Sequence, residues 1–360
     1  MTTKRYAYEP DYAVPPGATL DETIQALGMD QRELAVRTGL TPKTINLIIN
    51  GKAPITHETA VLLERVTGLP ARTWNNLESN YREQLAKLEE RKRLERDLAW
   101  LEEIPADELI RRKAIAPQKE KRDLLAAALS FFGVSSPAAW RKFWQCPRAA
   151  FRKSACFKGY PGPTAAWLRL GELEAQRIPC RPYDKEEFTK VLQHARGLSC
   201  RPIEDARKEL VGPCAEVGVA VVFVPELTGC PASGVSRWLT PQKALIQLSL
   251  RYKTDDHLWF SFFHEAGHVL NDPKKDVFID YGSQPEDDRE KQANTFARNW
   301  LIPPTHASRL GSLTSKADVE RFANALGIAP GIVVGRLQHD GVIPYSHMNA
   351  LKRHLKWDEA

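Results

Sequence analysis

The 360-residue chain contains no apolar run long enough to cross a bilayer. The longest, Val217 to Val224, has about eight residues, where a membrane-spanning helix needs roughly 18. The opening stretch MTTKRYAYEPDYAVPPG lacks the apolar core that follows the basic residues of a secretory signal, so the expected location is the cytoplasm, with no membrane partner. Six cysteines, at 146, 156, 180, 200, 214 and 230, never form a CxxC pair. That spacing speaks against a zinc ribbon or a dense disulfide framework and leaves reduced, mostly buried thiols as the expectation. No internal repeat is evident. Wholesale disorder is excluded too, because 42% hydrophobic and 27% charged residues supply more than one core. At about 100 to 200 residues per domain, the length predicts two or three domains.

A formal net charge of +6 hints at an acidic partner, but the charge is unevenly spread. Arg141 to Arg201 carries 13 basic and 5 acidic residues, which leaves the rest of the chain slightly acidic. Within that segment the cations alternate with Trp144, Phe151, Phe157, Tyr160 and Trp167. Cations neutralise phosphate and aromatic rings stack on bases, so a single-stranded nucleic acid is one expected partner of residues 141–201. A solvated basic face is the alternative.

Along the chain, residues 1–19 read as an extended arm, 20–80 as a helical domain, 81–130 as a helical connector, 131–204 as a basic, aromatic-rich intervening region and 205–360 as a separate domain. GMDQRELAVRTGLTPKTINLIINGKAPIT breaks into two short amphipathic helices joined at Gly39, with Leu34, Ala35, Ile45 and Ile48 at helical spacing. Asp30 and Thr41 suit helix caps and Pro42 suits a first turn. This is the pattern of a helix-turn-helix. Leu77, Tyr81, Leu85 and Leu88, followed by Leu94, Leu98 and Leu101, mark one face of a charged helix that would serve as a connector or a homodimer surface. After Val217 the runs VGVAVVFV and ALIQLSL, rich in β-branched residues, read as strands.

The chemistry lies in DDHLWFSFFHEAGHVL. His264 and His268, four residues apart, project from one face of a helix and can bind one zinc ion, while Glu265 stands beside them to take a proton from water. A catalytic zinc takes a third protein ligand from elsewhere. In PEDDREKQANTFARNWLIPP, Glu290 lines up with the inward residues Ala293, Ala297 and Leu301, and is the chosen third ligand. Glu286 shares that face, but in a first turn where an acid is expected for the helix dipole alone. His257, seven residues from His264, is too far along the helix to share the metal and is expected to be structural. His339, and less directly His306, are candidates to stabilise an oxyanion if folding brings them close. Cys230 is a candidate regulatory thiolate able to block the open zinc position.

HEAGHVL, with the later EKQANTFARNWLIPP and the tail GIAPGIVVGRLQHDG, resembles the ImmA/IrrE family of bacterial zinc metallopeptidases over roughly residues 205–345. The resemblance implies Zn2+ held by His264, His268 and Glu290, with Glu265 as the base, on a small gluzincin-like α+β unit. Residues 20–85 resemble Cro/C1-type helix-turn-helix proteins, particularly HigA-like antitoxins. That resemblance implies a recognition helix from Thr41 to Asn50, with Lys43, Thr44, Asn46 and Leu47 toward the major groove and Gln31 on phosphate. Residues 20–80 nevertheless carry six basic and seven acidic side chains, although DNA affinity comes largely from phosphate neutralisation. A local patch of Arg37, Lys43 and Lys52, or a turn toward protein contacts, would reconcile the two. The expected protein is multidomain, mainly α with an α+β part. Its expected function is that of a zinc endopeptidase fused to a DNA-binding module, cutting a repressor or antitoxin that adds a strand along GVSRWL or ALIQLSL. The alternative is a transcriptional regulator whose peptidase-like domain senses a ligand or partner without proteolysis.

Overall fold

The computed structural model describes residues 10–145, 161–274 and 288–356, together with the backbone of 278–280. The chain divides into two compact units, Met1–Leu98 and Ala99–Ala360. The division falls inside the span expected to be a connector, and the basic segment belongs to the second unit.

Among the described residues the regular elements of the first unit are helices: α1 (Pro16–Ala26), α2 (Gln31–Thr38), α3 (Pro42–Ile49), α4 (His57–Thr67) and α5 (Ala71–Arg96). The caps are those the sequence announces. Asp30 accepts the Glu33 N–H at the start of α2, Gly39 closes that helix at φ 73°, and Thr41 accepts the Thr44 N–H ahead of Pro42. Leu20, Ile24, Leu34, Ile45, Ile48, Leu63 and Trp74 form the core. The Glu78 carboxylate on α5 accepts the Ile55 N–H at 3.0 Å and so fixes the loop that follows α3. One expectation fails at the start of the unit. Residues 16–19 are helical rather than extended, because Pro16 occupies a first turn that needs no N–H, and Gly17 lets α1 approach α3 closely. A Cβ at Gly17 would lie 2.2 Å from the Ile48 carbonyl oxygen.

The second unit begins with a 3₁₀ turn and α6 (Ala106–Arg111), α7 (Lys121–Phe132) and α8 (Pro137–Trp140). Trp100, Phe132 and Trp140 meet edge to face with centroids 5.4–5.9 Å apart. After α9 (Pro161–Arg177), α10 (Lys185–Leu198) and α11 (Ile203–Glu216) comes a four-stranded sheet in the order β1-β3-β2-β4. Its strands are β1 (Val219–Phe223), β2 (Gly234–Thr240), β3 (Lys243–Leu248) and β4 (Phe278–Asp280). β1 and β3 are parallel, and β2 is antiparallel to both β3 and β4. Helix α9 covers one face, where Gln247 donates to the Trp167 carbonyl and Gly171 leaves room for that amide. Helix α12 (Asp255–Asn271) packs on the sheet within the main core, with Val219, Val221, Ala244, Ile246 and Leu248 beneath it. A strand buried on both faces reads as an apolar run rather than an alternation, which explains ALIQLSL. Helices α13 (Asp288–Leu301), α14 (Pro304–Ala307), α15 (Lys316–Leu326) and α16 (Pro330–His339) complete the unit.

The start of α12 is pinned by charge. Asp255 and Asp256 lie inside the first turn, after the N-cap Thr254, and are buried. Arg353 binds Asp255 at 2.8 Å and Lys352 binds Asp256 at 2.7 Å. Gly331 and Gly335, one turn apart on α16, admit these carboxylates, since a Cβ at either would lie 2.5 Å from an aspartate oxygen.

Candidate metal centre

Helix α12 carries His264, Glu265 and His268 as buried polar groups, at 2%, 0% and 2% exposure. Helix α13 packs directly against it through small residues. Ala293 and Ala297 are buried, and Gly267 admits Phe296, whose ring would lie 3.0 Å from an added Cβ. That approach brings Glu290 to the histidines. The two Nε2 atoms are 3.1 Å apart, and Glu290 oxygens lie 3.1 Å from that of His264 and 3.6 Å from that of His268. Among the described residues these three form the cluster of metal-capable donors. Glu286 lies outside the described residues.

The donor set fits zinc. Metal bonds of about 2.0–2.1 Å in a tetrahedron separate donors by about 3.3 Å, close to the distances found. Each ring's other nitrogen also has an acceptor. His264 Nδ1–H donates to Asn294 Oδ1 at 3.0 Å, and His268 Nδ1–H donates to Asp272 Oδ2 at 2.6 Å. With protons held at Nδ1, both Nε2 lone pairs and a carboxylate converge on one point, an arrangement that repels itself unless a cation sits there. When no cation is present, protons on the two rings take its place: burial by itself would raise the Glu290 carboxyl, but hydrogen bonds and charge from protonated His264 and His268 bring it down to about 2. Burial would likewise lower the His268 ring, yet Asp272 and Glu290 leave it raised.

Glu265 packs against the first residue of β2. A Cβ at Gly234 would lie 2.7 Å from Glu265 Oε1, so only glycine leaves the carboxylate its position. Asn294, Asp272 and Gly234 were not among the residues read from the sequence. Asn294 is one turn beyond Glu290 and Asp272 one turn beyond His268, an i, i+4 relation that could have marked both.

Other expected groups stand apart from the cluster. His339 is exposed; Arg298 donates to its Nε2 at 3.1 Å, two turns along α13 from Glu290 and therefore about 12 Å along the axis. His306 packs against Phe322, and His257 stacks on Tyr252. Cys230 is buried and is not part of the donor cluster. Burial pushes its thiol up, against the thiolate form that binds metal. Strand addition along ALIQLSL is ruled out, because β3 is interior to the sheet and paired on both sides. Gly234 to Ser236 of GVSRWL is paired with β4. In the basic segment, Trp144 and Trp167 are 3% and 0% exposed and donate to the carbonyls of Phe132 and Val224, so neither can stack on a base. Arg141, Arg169 and Arg181 are ion-paired to Glu103, Glu172 and Glu216. Phe151, Phe157 and Tyr160 lie outside the described residues.

In the first unit, Lys43 and Asn46 are exposed on α3 while Ile45 and Ile48 face the core. Thr44 and Leu47 are half-buried, the Thr44 hydroxyl bonding that of Thr41 at 2.9 Å. Gln31 is half-buried at the first position of α2. Lys52 is exposed, whereas Arg37 is ion-paired to Glu33 at 2.5 Å.

Residues 221–338, which hold α12 and α13, match the model of a peptidase family described as the IrrE N-terminal-like domain, and residues 21–74 match the helix-turn-helix family. The chain belongs to the helix-turn-helix family through its first unit, and about a third of its length, in the second unit, matches the peptidase-family model. The chain is 33% identical over 64 residues to the uncharacterized HTH-type transcriptional regulator YddM of Escherichia coli strain K12, a match covering 18% of this chain and 68% of that protein. An addiction module antidote protein of a HigA family from Coxiella burnetii is 28% identical, over 24% of this chain and 94% of its own, with a TM-score of 0.22. The protein thus joins a helix-turn-helix DNA-binding domain to an IrrE N-terminal-like domain of peptidase type. Among the described residues no helix is long and apolar enough to cross a membrane.

Proposed function

We propose that the protein is a zinc-dependent endopeptidase that cuts a regulatory protein, a repressor or antitoxin, and that its helix-turn-helix domain brings this activity to DNA. The observation that carries the reading is the convergence of His264 Nε2, His268 Nε2 and a Glu290 carboxylate in a buried site with Glu265 next in sequence. A zinc ion bound there supplies Lewis acidity and makes water nucleophilic near neutral pH. His264, His268 and Glu290 hold the metal. Glu265 takes the proton of the attacking water on its carboxylate and passes it to the leaving amine, the role of a general base and then a general acid. Gly234 keeps that carboxylate in reach by presenting no side chain to it.

The test uses candidate repressors encoded beside the protein, incubated with the full chain with and without a chelator. Glu265→Gln is expected to keep zinc and to lose about 10²–10⁴-fold in cleavage rate. Equal cleavage by wild type and Glu265→Gln would refute the mechanism.

A further inference from the structure

An imidazole presents a lone pair at Nε2 only when its proton sits on Nδ1, and the group that accepts that proton decides the matter. Here the two ligand rings are held by unlike acceptors. His264 meets a neutral amide, Asn294, at 3.0 Å, and His268 meets a carboxylate, Asp272, at 2.6 Å. The second oxygen of Asp272 lies 3.7 Å from the Arg289 guanidinium, one residue before Glu290. One carboxylate therefore holds a ligand of α12 and also reaches the turn of α13 that carries the third ligand.

Helix stability does not explain an acid in this position. Asp272 is the C-cap of α12, where the negative end of the helix dipole disfavours a carboxylate, and its side chain is only 11% exposed. What the position does offer is reach to His268, one turn back. We infer that Asp272 and Asn294 are positioning residues for the metal centre and that they are unequal. Asp272, charged and linked to both helices, raises the basicity of His268 and sets metal affinity, while Asn294 contributes orientation alone. This inference rests on the reading of His264, His268 and Glu290 as zinc ligands.

The experiment measures zinc affinity of the metal-free full chain by competition with a chromophoric chelator, with cobalt(II) absorption as a report on ligand geometry. Circular dichroism and thermal melting of each metal-free variant register folding. Asp272→Leu is expected to weaken zinc binding about 10–100-fold. Asp272→Asn, which keeps an acceptor but not the charge, is expected to fall between wild type and Asp272→Leu while melting at the wild-type temperature. Asn294→Leu should lose less than Asp272→Leu, and Asn294→Asp, with a second carboxylate, should bind more tightly than wild type. Wild-type affinity and an unchanged cobalt spectrum in Asp272→Leu would overturn the inference, as would a larger loss in Asn294→Leu. If His264→Ala abolishes binding while the Asp272 variants bind normally, only the positioning role falls. If the wild-type chain binds no zinc, the ligand assignment falls and takes the inference with it.

Discussion

In the helix-turn-helix unit the side chains that would meet DNA, such as Lys43 and Asn46, stand exposed on α3, whereas in the second unit His264, Glu265 and His268 are at most 2% exposed. An exposed polar group is solvated in any state, so it can be exchanged with little effect on the fold. A buried one is stable only through its partners, and each partner becomes necessary. The sensitivity of each unit to substitution should follow that difference.

The largest effect on stability is expected where a buried charge loses its counter-ion. Lys352→Met strands Asp256 at the start of α12 and should cost about 3–5 kcal/mol in urea unfolding, while the same exchange at exposed Lys43 should stay within about 0.5 kcal/mol. Equal losses would erase the contrast. Next comes Gly234→Val, which pushes on Glu265. Cleavage should fall about 100-fold with zinc still bound, since a shift near 1 Å at a reacting group costs that much; undiminished cleavage would show that the carboxylate has other room. Asn46→Ala should weaken binding to a specific operator by about 1–3 kcal/mol, and Lys43→Ala should weaken binding to all sequences and lower the salt slope by about 1. Titrations at several salt concentrations would expose the opposite pattern. The smallest effect belongs to half-buried Asp318, held at about 2 by hydrogen bonds from Ser315 and by Arg321. Its contribution to the capping box of α15 should be intact above the ordinary value of 3.8 and lost as pH falls through about 2, followed by NMR of the Ser315 and Asp318 amides. A midpoint at 3.8 would mean that the box does not form.

How far the sequence could be read depended on the range of the interactions. Asp30, Gly39, Thr41 and Pro42 act within a few residues of themselves, and the helices they delimit are where the sequence puts them. Pro16–Gly17 misleads because its glycine is explained by α3, about thirty residues away. The candidate metal motif is legible because two of its potential donors share one helix turn, and Glu290, the third, follows from the inward face of α13. Within the basic, aromatic segment, Trp144 and Trp167 read as base-stacking rings only while burial is unknown, since both are core residues whose N–H groups are already spent. Strand order is equally hidden. ALIQLSL reads as a strand, but nothing local tells an edge strand from an interior one, and β3 is interior.

The sequence alone determined the resemblances of the two modules, the capped helices of the first unit and the order of the helices that carry HEAGH and EKQAN. These follow from periodicity, capping chemistry and residue type, which act over one or two turns. Only the tertiary structure decided that Gly234 makes room for Glu265, that Asn294 and Asp272 hold the rings of His264 and His268, and that Lys352 and Arg353 secure the start of α12. Gly234, Asn294, Lys352 and Arg353 meet their partners across 30 to about 100 residues of chain, and Asp272, though one turn from His268, joins the centre through Arg289 on a second helix. Such encounters are fixed by packing, because burial removes water as the competing partner and leaves each polar group dependent on the side chain the fold brings to it.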